Sequence, residues 1–173
     1  MIRKLFSIVA VLSAMTACSS APESSIQHYI LPINSQQQSQ LKTAAAGIPQ
    51  PPQVEVTLAP YLAKENVVVV QGQTQVIYAH YHRWAQPLDY MIEDFMRKAI
   101  VPNSHVKQLK LKFDKLHANL QGQVTLQGEY SLNTGLQQVF LIELEQPRAG
   151  YPAMVETVAQ GLQQLSEQIL AHQ

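Results

Sequence analysis

The alternation of apolar and polar positions changes period once, abruptly, within residues 78–100, YAHYHRWAQPLDYMIEDFMRKAI. Up to Trp84 the stretch has the β-branched and aromatic richness of a strand. Beyond it Leu88, Met91, Ile92, Phe95, Met96, Ala99 and Ile100 fall on one helical face at i, i+3, i+4, i+7 spacing. Pro87 stands at the junction, where a missing N–H costs nothing. Asp89, Glu93, Asp94, Arg97 and Lys98 take the opposite face, acids early and bases late, the order that suits the helix dipole. A strand therefore ends near Trp84 and an amphipathic helix follows.

The flanking segments can be placed from that change. Residues 26–33, IQHYILPI, read as a first strand that Pro32 ends or confines to a sheet edge. Residues 34–52 shift to Gln, Ser, Ala and Pro and read as a long loop. Val54, Val56 and Leu58 alternate with polar residues, giving a strand with one wet face and a turn at Pro60. The unbroken run Val67 to Val70 is the pattern of a strand buried on both faces, and Gly72 turns it into residues 75–82 as a hairpin. After Pro102, Leu109, Leu111 and Phe113 alternate with Lys110, Lys112 and Asp114. Val124, Leu126, Tyr130 and Leu132 then oppose Thr125, Gln127, Glu129 and Ser131. Past a turn at Asn133-Thr134-Gly135, Phe140, Ile142 and Leu144 oppose Glu143 and Glu145, completing half-buried antiparallel strands. Pro147, Gly150 and Pro152 interrupt before Met154, Val155, Val158, Leu162, Leu165 and Ile169 trace a second helix. The expected fold is α/β, a single domain with a mixed, mostly antiparallel β-sheet of about seven strands and two long amphipathic helices. The strand–helix–strand passage through Trp84 is a right-handed crossover if its strands run parallel.

Composition narrows the class. A chain of 173 residues, 46% apolar and 14% charged, fits one domain with attachments. Arg3 and Lys4 precede an apolar segment from Leu5 to Ala17, too short for a mature membrane span but of signal-peptide length. Small residues leading to Cys18 resemble the lipobox of bacterial lipoproteins, in which that cysteine is acylated and becomes the N-terminus; Met15 departs from the leucine usual three residues before it. Removing the leader leaves ten basic and twelve acidic residues, a charge of −2, and nothing here suggests a nucleic-acid partner, which would want a basic surface. Cys18 is the only cysteine, so no internal disulfide or thiolate zinc cluster is available. Several acyl chains, each buried methylene contributing about 0.8 kcal/mol, would hold the chain on a membrane. Ser19 rather than aspartate after the cysteine resembles an outer-membrane address. The expected organisation is a signal peptide over 1–17, a lipidated tether over 18–25 and a domain over 26–173.

Together the lipobox, HYILP, VTLAPYLAKENVVVVQG, HRWAQPLDYMIEDFMRKAI, VTLQGEYSL and AGYPAMVETVAQGLQQLSEQI resemble the PqiC/YmbA-type auxiliary lipoproteins of ABC and MCE transport systems. The most specific part is Arg83-Trp84-Ala85-Gln86-Pro87-Leu88, where Gln86 replaces the family's usual acid. The resemblance implies a non-enzymatic lipoprotein on the periplasmic face of the outer membrane. Its implied partners are an MCE-type periplasmic membrane protein, a polytopic inner-membrane protein and further copies of itself, in a system that moves lipids or other hydrophobic solutes and supports envelope integrity. No cofactor is implied beyond the N-acyl and S-diacylglycerol lipid on Cys18. A stand-alone periplasmic carrier of an apolar ligand is the alternative.

Candidate chemistry is sparse. His80 and His82 would share one face of a strand, but two histidines without a forced third ligand do not make a metal site. No GxSxG elbow, Gly-rich phosphate loop or HExxH helix is present, so no catalytic residues are assigned. Arg83 and Trp84 are interface candidates by residue type; the plainer reading packs Trp84 beneath the helix and gives Arg83 to the turn. Met91, Met96 and Met154 read either as an adaptable lipid groove or, from their helical spacing, as core.

Overall fold

A computed structural model describes residues 25–33, 52–100 and 105–172. The leader, Cys18, the tether up to residue 24 and all but the last residue of the 34–52 loop lie outside the described residues. The seven strands are β1 (Gln27–Tyr29), β2 (Gln53–Leu58), β3 (Asn66–Gln71), β4 (Gln75–Trp84), β5 (Gln108–Asn119), β6 (Gln123–Leu132) and β7 (Gln137–Glu145). The helices are α1 (Leu88–Ala99) and α2 (Tyr151–Ala171). All seven strands join one sheet in the order β1-β4-β3-β5-β6-β7, with β2 beside β5. The mixed, mostly antiparallel single-domain fold expected from the sequence is the one observed.

β5 organises the sheet because it is long. One edge pairs with β6 throughout; the other takes β2 in parallel along Gln108 to Phe113 and β3 in parallel at Ala118 and Asn119. The pattern had suggested only its first half. A register shift between Phe113 and Lys115 adds a residue to the alternation, so Leu116 and Ala118 return to the same buried face as Leu109, Leu111 and Phe113. Gly128 of β6 pairs with Phe113 at this irregularity. A Cβ there would collide with the Lys112 carbonyl and come within 3.0 Å of the Phe140 ring.

Other elements differ from expectation in instructive ways. β1 spans three residues rather than eight, and it is an edge strand, as Pro32 allows. Pro152 does not interrupt the second helix but sits in its first turn, where its missing N–H is harmless. The passage through Trp84 is not a parallel crossover: β4 is antiparallel to β3, and β3 is parallel to β5, so β4 and β5 run in opposite directions.

Both helices cover one face of the sheet. Leu88, Met91, Ile92, Phe95 and Met96 of α1 and Met154, Val158, Leu162, Leu165 and Ile169 of α2 join Val54, Leu109, Phe113, Leu126 and Ile142 in one buried cluster. Burying each such side chain contributes about 1.5–3 kcal/mol. α2 comes closest at Gly161, where an added Cβ would lie 2.9 Å from Leu126 Cδ1. The two buried hydroxyls on α2 are satisfied within the helix, Thr157 donating to the Ala153 carbonyl and Ser166 to that of Gln163. The opposite face of the sheet carries exposed ion pairs, Lys110 with Glu55 at 3.3 Å and Lys112 with Glu129 at 3.0 Å. Such pairs contribute little stability and mark a wet surface.

Candidate functional site

The corner where β4 turns into α1 holds the most specific stretch of the sequence, and backbone hydrogen bonds tie it to β1 and to the approach to β3. Trp84 pairs in register with Tyr29 of β1, and its indole is 5% exposed. Its backbone N–H donates to the Glu65 carbonyl at 2.7 Å, and Ala85 N–H donates to the Tyr29 carbonyl at 2.8 Å. Arg83 is part-exposed, pairs with Asn66 across the ladder, and donates from Nη1 to Glu65 Oε2 at 3.4 Å. Its Nε is buried and has no hydrogen-bond partner among the described residues. Pro87 ends the corner, its carbonyl accepting from Met91 N–H in the first turn of α1. Two distant segments, β1 and the approach to β3, thus meet at Trp84, just before α1 begins. A depression of about 470 Å³ opens beside them, bounded by His28, Lys64, Gln86 and Asp89.

The two strand histidines do not act together. His80 meets its neighbour Tyr81 edge-on, with ring centroids 4.7 Å apart. His82 stacks on Tyr151, the first residue of α2, at 3.7 Å and 20°, and its Nδ1 is in hydrogen-bond contact with the Tyr29 hydroxyl at 2.8 Å. Burial lowers its pKa below the usual histidine value. At the far end of the same helix, His172 Nδ1 lies 2.9 Å from the Tyr130 hydroxyl of β6. A tyrosine–histidine contact therefore fastens each end of α2 to the sheet. Nothing in the sequence pattern points to either, because the partners, His82 with Tyr151 and Tyr130 with His172, are distant in the chain. Among the described residues no three His, Cys, Asp or Glu side chains gather as a metal-binding group.

Met91, Met96 and Met154 are buried within the main cluster, as core side chains. A separate cavity of about 380 Å³ lies where α2 begins, floored by Val69, Ala118, Tyr151 and Met154 and rimmed by Leu120 and Arg148. The Arg148 guanidinium is engaged by Glu156 at 2.7 Å. On the bare face of the sheet, burial first and Asp114 and Tyr78 next push the Tyr61 hydroxyl up to about 12, and burial with nearby Lys115 lowers His117. The Tyr61 hydroxyl donates to the Asp114 carbonyl at 3.0 Å, and the Tyr61 and His117 ring centroids lie 6.5 Å apart. Among the described residues no helix is long and apolar enough to cross a membrane.

Residues 29–102 match the family of the ABC-type transport auxiliary lipoprotein component. The match runs from β1 to just past α1, so it contains the whole Trp84 corner and the resemblance read from RWAQPL stands. A crystal structure described only as an uncharacterized protein is 25% identical, with a TM-score of 0.70 over 86% of this chain and 98% of that one. Protein XCC0632 from Xanthomonas campestris, of family DUF330, shares the fold at 16% identity, with a TM-score of 0.54 over 71% of this chain and 87% of that one. No protein of curated function matches the chain in sequence.

Proposed function

We propose that the protein is an outer-membrane lipoprotein whose domain faces the periplasm and serves as a non-enzymatic accessory subunit of an MCE-type system moving lipids or hydrophobic solutes between membranes. The family match over residues 29–102 carries this reading. The leader ending in Cys18, with its lipobox-like approach, supplies the anchor, N-acyl and S-diacylglycerol groups on that cysteine. Its partners are an MCE-type periplasmic membrane protein, a polytopic inner-membrane protein and other copies of the chain. At the Trp84 corner the part-exposed Arg83 offers a contact to such a partner, while buried Trp84 holds the corner in shape. The experiment is native extraction of the full chain from membranes followed by identification of what accompanies it. Recovery with an MCE-type protein supports the reading; its clean absence, with the chain intact and acylated, contradicts it.

The carrier reading draws on the cavity at the start of α2, which at about 380 Å³ falls within the size range of small-molecule sites. Mass spectrometry of solvent extracts separates the two, because a carrier retains a stoichiometric apolar ligand and an accessory subunit does not.

A further inference from the structure

Among the described residues the outer edge of β7 has no strand beside it. The strand ends the sheet, and its nine register pairs with β6, from Ser131↔Gln137 to Gln123↔Glu145, run without a bulge. It contains no proline and no lysine, two of the usual devices by which edge strands avoid pairing with other chains. Phe140 and Ile142 point into the core, while Val139 is 82% exposed and Leu141 60% exposed on the bare face. Large apolar side chains this exposed, side by side on a straight free edge, are the feature that monomeric surfaces suppress.

Charge says what kind of strand belongs there. Glu143 and Glu145 continue the same row of β7, and among the described residues neither has a cationic partner, whereas Glu55, Glu65, Glu93, Glu129 and Glu156 each pair with a lysine or arginine. A second copy's β7 cannot answer them, because the strand has no basic residue in any register. The other strand sides without a neighbouring strand among the described residues, on β1, on β4 from Gln75 to Tyr81 and on β2 beneath α1, carry no lysine or arginine, so a second copy's edge cannot answer them either.

We propose that the free edge of β7 docks an extended segment of another protein, added antiparallel as a further strand, with apolar side chains beside Val139 and Leu141 and Lys or Arg beside Glu143 and Glu145. Backbone hydrogen bonds along the edge supply affinity, and the alternate side chains supply selectivity. Read from its N-terminus, the segment runs basic, any, basic, any, apolar, any, apolar. Like-charged residues directly opposite would oppose pairing, so the two acids repel an acidic strand and admit a basic one. This docking edge deepens the accessory-subunit reading by naming a surface, and its test is independent of whether a transporter co-purifies.

The probe is a fluorescent peptide, Lys-Thr-Lys-Thr-Val-Thr-Val-Thr-Thr, titrated with the full mature chain in detergent and followed by anisotropy. The expected result is saturable binding that weakens with salt and falls about tenfold or more in Glu143→Lys/Glu145→Lys, as loss of two cross-strand charge pairs requires. A peptide with Glu in place of Lys should bind that variant and not the native chain, which also shows that the variant is folded. Absence of binding to the native chain, equal binding to the charge-reversed variant, or self-association abolished by Leu141→Lys without peptide binding would each overturn the proposal.

Discussion

Two of the strand sides left without a neighbouring strand among the described residues, on β2 and on β7, are treated by the protein in opposite ways. β2 is covered. α1 packs along it, and Glu93 of that helix accepts a hydrogen bond from the Val56 backbone N–H at 3.3 Å, giving an otherwise unpaired edge donor a partner. β7 is left open, with two apolar side chains in water and two acids unanswered among the described residues. An edge can be closed by one helix and one carboxylate, so openness at β7 reads as a use and not as an oversight.

The strongest way to break the comparison is Gly128→Ala. The new Cβ collides with the Lys112 carbonyl, which no rotamer change relieves, so the ladder between β5 and β6 must open. We expect destabilisation of about 4 kcal/mol or more in a urea melt, the range reserved for backbone clashes in a core. Protection should be lost first in β6 and β7, while β2 and α1 keep theirs longer.

Next comes Glu93→Ala. It removes the partner of the Val56 N–H and leaves the helix otherwise in place, costing about 1 kcal/mol as a part-buried hydrogen bond to a charged group is lost. Exchange of the Val56 amide should quicken, making β2 resemble β7 at that point. If it does not, the carboxylate is not what closes this edge.

Acidification acts on the fastenings and not on the edges. His82 and His117 both have folded-state pKa values below the ordinary histidine value, lowered chiefly by burial. The unfolded chain therefore binds protons first as pH falls, so stability present above about pH 6.5 is lost as the solution is acidified through the lower folded values. Thermal melts between pH 7.5 and 5 should show a falling Tm, and His82→Gln together with His117→Gln should flatten that slope.

The smallest effect on stability sharpens the contrast most. Leu141→Lys places the usual edge guard on β7 at a position already 60% exposed, and should change stability by no more than about 0.5 kcal/mol. A large loss in a urea melt would mean that Leu141 is covered in the native protein.

Much of this was legible in the chain, and the gaps have physical causes. Single-parity strands such as β6, where Val124, Leu126, Tyr130 and Leu132 all turned out buried, announce themselves by period. The continuation of β5 past Phe113 did not, because a bulge resets the parity that the eye follows. The parallel pairing of β2 with β5 is set by residues 55 positions apart and leaves no local mark. At β7 the signal was present but half used: Val139 to Ile142 is an unbroken apolar run, and alternation assigned Phe140 and Ile142 to the core without asking where Val139 and Leu141 would go. Trp84 fits the plainer of its two readings by burial, and Cys18 lies outside the described residues. The tyrosine–histidine fastenings at both ends of α2 required the fold itself.

The most direct test is residue-resolved hydrogen exchange on the full chain, comparing the outward edges of β2 and β7 before and after adding the basic–apolar peptide. The account predicts a slow Val56 amide throughout, rapid exchange along the outer side of β7 in the free protein, and slowing confined to residues 137–145 once peptide is bound. Strong protection of β7 in the free chain, or slowing elsewhere in the molecule, would contradict it.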